Sequence, residues 1–444
     1  MTTTSTDHRA GHPRHHPSGD PSAAGSGPGS ADGVASADGE VIGLDEARQL
    51  VRSLALSDQP VGTVGLEVEG HTVVRDDVAA APPFDVLAAV AARHAVLPRG
   101  GCTTLEPGGQ LEVSSAPHPD VATALDAMEQ DTAVVRAALA EEGLGWVLLG
   151  ADPLRPPRRV NPGERYAAME SWFSAAPETH VPGATMMCST AALQLNLQAG
   201  PSDEWAARVH RAQGLAPLLT ALSGSSSFLA GRDTGWHSAR QRAWAGLGAL
   251  RAGPLPERPD PAGAWAERAL EAEVVLVPTP GGGLVAADER RSLREWLTAP
   301  GSWPPATVAD VRRQLTTLFP PVRLRGWLEL RCLDVLPPRW WPAVAAAATA
   351  WMDEEPLHPV VDAVVARTAD RTHAAARDGL ADPVLREAAT TCLRAVADLV
   401  PEPVRETVAE LADLAADGRS PGTLVTDELR RRGPAAVLEE MSHA

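Results

Sequence analysis

Apolar and acidic residues alternate along Val61–Gly70, so that Leu66 and Val68 fall on one side of an extended chain and Glu67 and Glu69 on the other. Such a strand is half core face and half carboxylate face. Like charges two residues apart on one face are costly unless a cation or a basic ligand stands between them. Three later stretches repeat the device. Cys102–Ser114 reads as two short strands around a Pro-Gly-Gly turn. A two-residue turn would pair Glu106 with Leu111 and mix acid with core. A three-residue loop, 107–109, pairs Glu106 with Gln110, and puts Thr104, Glu106, Gln110 and Glu112 on one side and Leu105, Leu111 and Val113 on the other. The second register is the one expected. Met186–Gln198 sets Leu193, Leu195 and Leu197 against Gln194, Asn196 and Gln198 and is expected to be a strand throughout. Arg323–Arg331 is read as a further single strand, with Arg323, Arg325, Trp327, Glu329 and Arg331 on one face and Leu324, Leu328 and Leu330 on the other.

Between these strands the period changes. Helical spacing runs through 44–56, 84–96, 118–142 and 204–222, and a further helix opens at Asn161-Pro-Gly-Glu-Arg-Tyr, which holds the only tyrosine, Tyr166. Trp146–Leu149 and Ala272–Val277 read as short buried strands, 251–262 as a Pro-rich connection, and the segments from Asp288 and Ala306 as helices. Ser223–Trp244 is rich in Gly and Ser and carries Arg232, Arg240 and Arg242, a loop suited to holding carboxylate or phosphate. Beyond about residue 342 only Ala-rich helices are expected, over 342–352, 357–377, 383–399, 403–416 and 422–432. The fold class is therefore α+β: a curved, mainly antiparallel sheet with one polar working face, helices packed outside it, and a helical C-terminal part. Residues 1–40 have almost nothing to bury and are expected to be a disordered leader, with 41–444 as one catalytic unit.

Composition narrows the chemistry. The 444 residues are 44% hydrophobic and 22% charged, with a formal net charge of −18, which disfavours nucleic acid and anionic membrane as partners. No apolar run approaches the roughly 18 residues of a membrane span, and the start lacks a signal peptide, so a cytoplasmic protein is expected. Four scattered cysteines form no Cys-x-x-Cys pair and point to reduced thiols. All 39 basic residues are arginine. A phosphate-binding loop that needs its lysine and a pyridoxal Schiff base are thereby excluded.

The polar faces together supply Glu67, Glu69, Glu106, Glu112 and Glu329, with Gln194, Asn196 and several arginines among them. Five carboxylates converging in one sheet exceed what a substrate amine requires. Hard divalent ions with oxygen ligands explain them best, and magnesium bridging carboxylates to nucleotide phosphates is the common case.

Gly65-Leu-Glu-Val-Glu, Glu106-Pro-Gly-Gly-Gln-Leu-Glu-Val-Ser, Arg165-Tyr-x-x-Met, the 225–244 loop and Trp327-Leu-Glu-Leu-Arg, in that order from about residue 60 to about 355, resemble the glutamate-cysteine ligases. These are carboxylate-amine ligases with a glutamine synthetase-like catalytic domain, and the version here looks most like the actinobacterial ergothioneine-pathway type. The resemblance implies that ATP phosphorylates the γ-carboxylate of L-glutamate and that the L-cysteine amine displaces the phosphate. It implies ATP and Mg2+ as cofactors, with Glu67, Glu69, Glu106, Glu112 and Glu329 as metal ligands. Arg325 and Arg331 would serve phosphate and catalysis, Asn196 the nucleotide site, and Arg165, Tyr166, Arg232 and Arg240 the substrates. Some relatives supply a metal-binding histidine where this chain has Gln194 and Asn196. Three rivals compete: a ligase joining glutamate to another amine, a two-metal phosphohydrolase, and a non-catalytic binding protein on the same scaffold, which the full set of expected carboxylates disfavours. The second lacks the His-Asp richness usual in such sites, because the 13 histidines fall outside the stretches 61–70, 102–114, 186–198 and 323–331.

Overall fold

A computed structural model describes residues 38–443. At its centre is β1 (Val64–Val74), and every other strand of the main sheet is placed relative to it. β2 (Cys102–Leu105) and β3 (Leu111–Ser114) form a hairpin on one side, and β4 (Leu144–Val147) pairs with the far end of β1. On the other side lie β5 (Ala192–Gln198), then β11 (Trp327–Asp334) and β10 (Val322–Leu324), giving the antiparallel order β10-β11-β5-β1-β3-β2. Two small hairpins stand apart: β6 (Phe228–Leu229) with β7 (Arg232–Asp233), and β8 (Leu276–Pro278) with β9 (Leu284–Ala286). The result is the α+β architecture expected from the alternation.

One face of the main sheet is the core. Leu66, Val68, Leu111, Val113, Leu193, Leu195, Leu197, Leu328 and Leu330 are all fully buried. Helices Val121–Glu141, Trp205–Ser223 and Trp341–Asp353 lie against the sheet. The first is started by Asp120, whose carboxylate accepts from the Thr123 amide at 2.7 Å. A second, smaller core of Met169, Trp172, Phe173, Met186, Met187, Trp244 and Phe319 ties helices Glu164–Ser174, Pro177–Ser189 and Ala239–Ala245 to the β8–β9 hairpin. The C-terminal part is helical, as expected, and ends in Pro434–Ser442, which the periodicity did not reveal.

Several expectations are corrected. The strand read over Met186–Gln198 begins only at Ala192, because Pro177–Ser189 is a helix. Proline at its first turn suits that start, and Met186 and Met187 are both buried, which an alternating strand over a half-polar face would not do. The single strand read over Arg323–Arg331 is a hairpin that turns at Arg325-Gly326, where Gly326 takes φ +88°, a left-handed value open to glycine. Three residues, 325–327, separate the paired Leu324 and Leu328, and an odd-numbered connection preserves parity, so Arg323 still pairs with Glu329 and stays on its face. The Pro-rich connection runs into a helix, Pro261–Glu271, capped by Asp260 and burying Trp265, Ala266, Ala269 and Leu270. The expected leader lies outside the described residues except for its last part. Asp38 ion-pairs with Arg312, and Glu40 accepts from the Val308 amide.

Candidate active site

The polar face of the sheet is built in rows. Glu67 stands between Gln194 on β5 and Ser114 on β3, and the next row sets Glu69 beside Glu112 and Thr104. Glu329 sits across β5 opposite Asn196. Glu106 comes to the same face because its amide donates to the Gln110 carbonyl at 2.9 Å, the three-residue loop register expected from the sequence.

Neutral side chains hold these acids in place. Asn196 Nδ2 donates to Glu67 at 3.0 Å while its oxygen accepts from Trp327 Nε1 at 2.7 Å. Gln194 donates to Glu69 at 2.9 Å, and the Ala192 amide to the other Glu69 oxygen at 2.8 Å. Thr104 and Ser114 hydroxyls donate to one oxygen of Glu112 at 2.9 and 3.0 Å. Glu67, Glu69, Glu106 and Glu112 are half-buried, so they line an open cup and are not sealed in a core.

Burial and mutual repulsion push these carboxyls upward. Glu69 and Glu106 are raised to about 7, by burial and then by Glu106 and Glu112 respectively, and Glu112 to about 8 by burial and then by Glu67 and Glu69. Glu67 is raised by burial and by Glu329. A face of hydrogen-bonded acids that resist ionisation together is the donor set expected for hard divalent cations, so the residues fit magnesium. Among the described residues, as the side chains stand, no three of His, Cys, Asp or Glu close on one point, so binding would draw the carboxylates inward.

Glu329 differs from the other four. It is fully buried, and Arg323 grips both its oxygens, with Arg331 Nη1 at 3.2 Å and Arg325 Nη1 at 3.5 Å from one of them. Burial opposes its charge, but Arg323, Arg331 and Arg325 outweigh burial and hold it at about 2. Its oxygens already have cationic partners, which sets it apart from the ligand set read in the sequence. Arg331 also bonds Gln194 and feels Glu67, Glu69 and Glu112 across the cup.

Over the cup stands the start of helix Ala239–Ala245. The Arg240 guanidinium is buried, 4.7 Å from the Trp244 ring centroid, with Arg331 5.5 Å from the same ring. Arg240 Nε and Nη1, Arg331 Nε and Trp244 Nε1 are buried donors without a hydrogen-bond acceptor among the described residues. Unmet donors at this density make an anion-receiving corner. Arg165 adds charge near Glu106 and bonds Thr316 Oγ1 at 2.7 Å, and Tyr166 packs on the second core. Arg232 does not join them. It is exposed on the β6–β7 hairpin, beside the Asp233–Arg430 ion pair. The sequence marks the 223–244 loop as a whole without singling out Ser226, Ser238 or Trp244 in it, and gives no sign of Asp334. Only Trp244 had a local signal, its spacing of four from Arg240 on one helix face.

A cup with acids on its floor and arginines above it can hold anions that repel one another and lower the cost of bringing them together, the task of ATP-dependent carboxylate ligation. The chain belongs to glutamate-cysteine ligase family 2 (GCS2), whose family model matches residues 63–435. It is similar to the glutamate–cysteine ligase EgtA of Mycolicibacterium smegmatis, 40% identical over 408 residues, 91% of this chain and 96% of the relative. It is similar also to EgtA of Mycobacterium tuberculosis, 39% identical over 420 residues, 92% and 96% of the two chains. The fold is shared with a glutamate–cysteine ligase from Francisella tularensis solved in complex with AMP, at a TM-score of 0.56 and 14% identity, covering 87% of this chain and 88% of that one. The protein is a ligase, and no helix among the described residues is long and apolar enough to cross a membrane.

Proposed function

We infer that the protein joins the γ-carboxylate of L-glutamate to the amine of L-cysteine at the expense of ATP, giving γ-glutamylcysteine for ergothioneine synthesis. The observation that carries this reading is the single sheet face on which Glu67, Glu69, Glu106 and Glu112 confront Arg331 and Arg240. A γ-carboxylate oxygen attacks the γ-phosphorus of ATP, and the bond to the bridging oxygen breaks to release ADP. The cysteine amine then attacks the acyl carbon of the resulting acyl phosphate, loses a proton and expels inorganic phosphate.

Magnesium held by Glu67, Glu69, Glu106 and Glu112 would neutralise phosphate charge. Arg331 and Arg325 are assigned to phosphate, with Glu329 orienting their guanidinium groups, and Asn196 to the nucleotide side. Arg240 and Arg165, with Tyr166 beside them, are assigned to substrate carboxylates, where the unmet donors of Arg240 and Trp244 support the role. Incubation with ATP, magnesium, glutamate and cysteine, followed by mass detection, should yield γ-glutamylcysteine with one ADP and one phosphate per product. Equal ATP turnover with unrelated amines would move the amine specificity elsewhere, and phosphate release without glutamate would favour a phosphohydrolase.

A further inference from the structure

β11 does not keep its alternation to the end. Leu330 faces Leu195 and Leu333 faces Leu193, so two residues of β11, Arg331 and Cys332, stand against the single Gln194. This is a β-bulge, and it changes the parity of everything beyond it. An unbroken strand would put Asp334 on the leucine face with Leu328 and Leu330. The bulge instead sets it opposite Ala192, on the side of Gln194 and Asn196.

The carbonyls that the bulge takes out of the ladder are answered from the helix above. Arg240 Nη2 donates to the Arg331 carbonyl at 2.8 Å, and Gln241 Nε2 to the Cys332 carbonyl at 2.8 Å. The re-aimed Asp334 carboxylate, which is buried, binds the loop that leads into that helix. It accepts from the Ser225 amide at 3.0 Å, from Ser226 Oγ at 2.6 Å and from Ser238 Oγ at 2.9 Å. Ser226 Oγ in turn accepts from the Arg240 amide at 3.0 Å, and Ser238 Oγ caps the helix at the Gln241 amide. Gly150 leaves room for this carboxylate, since a Cβ there would lie 2.5 Å from its oxygen. Asp334 is 3.8 Å from Arg240 Nη1, beyond hydrogen-bond reach, so it steers this guanidinium through the backbone of the helix start and leaves the unmet Nε and Nη1 donors of Arg240 unoccupied.

We propose that Asp334, re-aimed by the bulge at Arg331-Cys332, is a positioning residue that sets Arg240 for the carboxylate of the amino-acid substrate through Ser226 and Ser238. The proposal rests on the ligase reading above. A purely structural alternative is that Asp334 merely neutralises a buried arginine. The two differ in which kinetic constant responds.

The test compares wild type, Asp334→Asn and the double variant Ser226→Ala/Ser238→Ala in full-length protein, with glutamate, ATP and cysteine varied in turn. The expected result is a KM for glutamate raised about tenfold or more, with kcat and the KM for ATP changed less than about threefold. In an Arg240→Ala background the Asp334→Asn change should add nothing further to the glutamate KM, because the two act in one chain. An unchanged glutamate KM, or a parallel loss in all three substrates together with a lower melting temperature, would overturn the proposal. Should Asp334→Asn fail to fold, the serine double variant decides by the same criterion, since it leaves the buried charge pair intact. Failure of wild type to bind or ligate glutamate at all would overturn the ligase reading first and this assignment with it.

Discussion

Two glutamates on one sheet face should respond in opposite ways to the loss of their charge. Glu67→Gln relieves repulsion among Glu67, Glu69 and Glu112, so without ligand the variant should melt at or slightly above wild type while turnover is lost and the stabilisation by magnesium with nucleotide shrinks. Glu329→Gln leaves Arg323 and Arg331 buried without their counter-ion, a cost on the order of 3 kcal/mol, so this variant should melt well below wild type as well as lose activity. Thermal melts with and without magnesium-ATP decide between these outcomes, and equal melting of the two variants would refute the distinction. The raised carboxyls also set a pH dependence. Glutamate titrates near 4.5 in the unfolded chain, but Glu69 and Glu106 near 7 and Glu112 near 8 in the folded protein. Between those limits the folded state binds more protons than the unfolded one, so these groups lower stability as pH rises from about 5 to about 8. Melting temperatures of metal-free wild type and Glu112→Gln over that range should show a shallower decline in the variant, and matching slopes would mean that the Glu112 charge is compensated. Arg331→Lys should cost about a hundredfold or more in kcat, because an ammonium cannot meet Glu329, Gln194 and a phosphate with a planar fork. Near-normal turnover in a steady-state assay would assign Arg331 to structure.

At the scale of elements, the β10–β11 hairpin determines how four charged residues meet. Its three-residue connection, 325–327, brings Arg323 opposite Glu329 and leaves Arg325 half out in solvent at the bend, able to reach both Glu329 and a ligand. Gly326→Ala forces a side chain into φ +88°, at a cost of about 1–2 kcal/mol. The expected outcome is a lowered melting temperature and a raised KM for ATP with the KM for cysteine unchanged. An unaffected ATP KM in the same assay would detach Arg325 from phosphate.

Over the whole molecule, the chain from Asp38 to Ile42 belongs to the fold. The Ile42 amide donates to the Ala306 carbonyl at 3.0 Å and Glu40 accepts from Val308 at 3.0 Å, next to the Asp38–Arg312 ion pair. Removing residues 1–37 should therefore leave the melting temperature unchanged and turnover within about threefold, or roughly 0.7 kcal/mol on the barrier. Removing 1–43 should lower the melting temperature, since it takes these bonds and the cap that Gly43 and Glu46 provide. Parallel melts and rates of the two truncations check both statements. The sequence by itself determined which residues share a face over each short stretch, because alternation is a local property of an extended chain. That is why Glu67, Glu69, Glu106, Glu112 and Glu329 could be read onto one side, and why even an unforeseen three-residue connection left Arg323 with Glu329. Tertiary structure alone decided what those side chains meet. Glu329 acquires three arginines because β10, the turn and β11 fold onto one another, whereas Glu67, Glu69 and Glu112 take their hydrogen bonds, among the described residues, from neutral groups on β2, β3 and β5. Asp334 reaches the working face only because β5 offers one residue where β11 has two, and which residue of β5 stands against the pair is set by the pairing of strands more than a hundred residues apart. Arg240 lies 91 positions before the carbonyl it holds, and no local period reports so distant a contact.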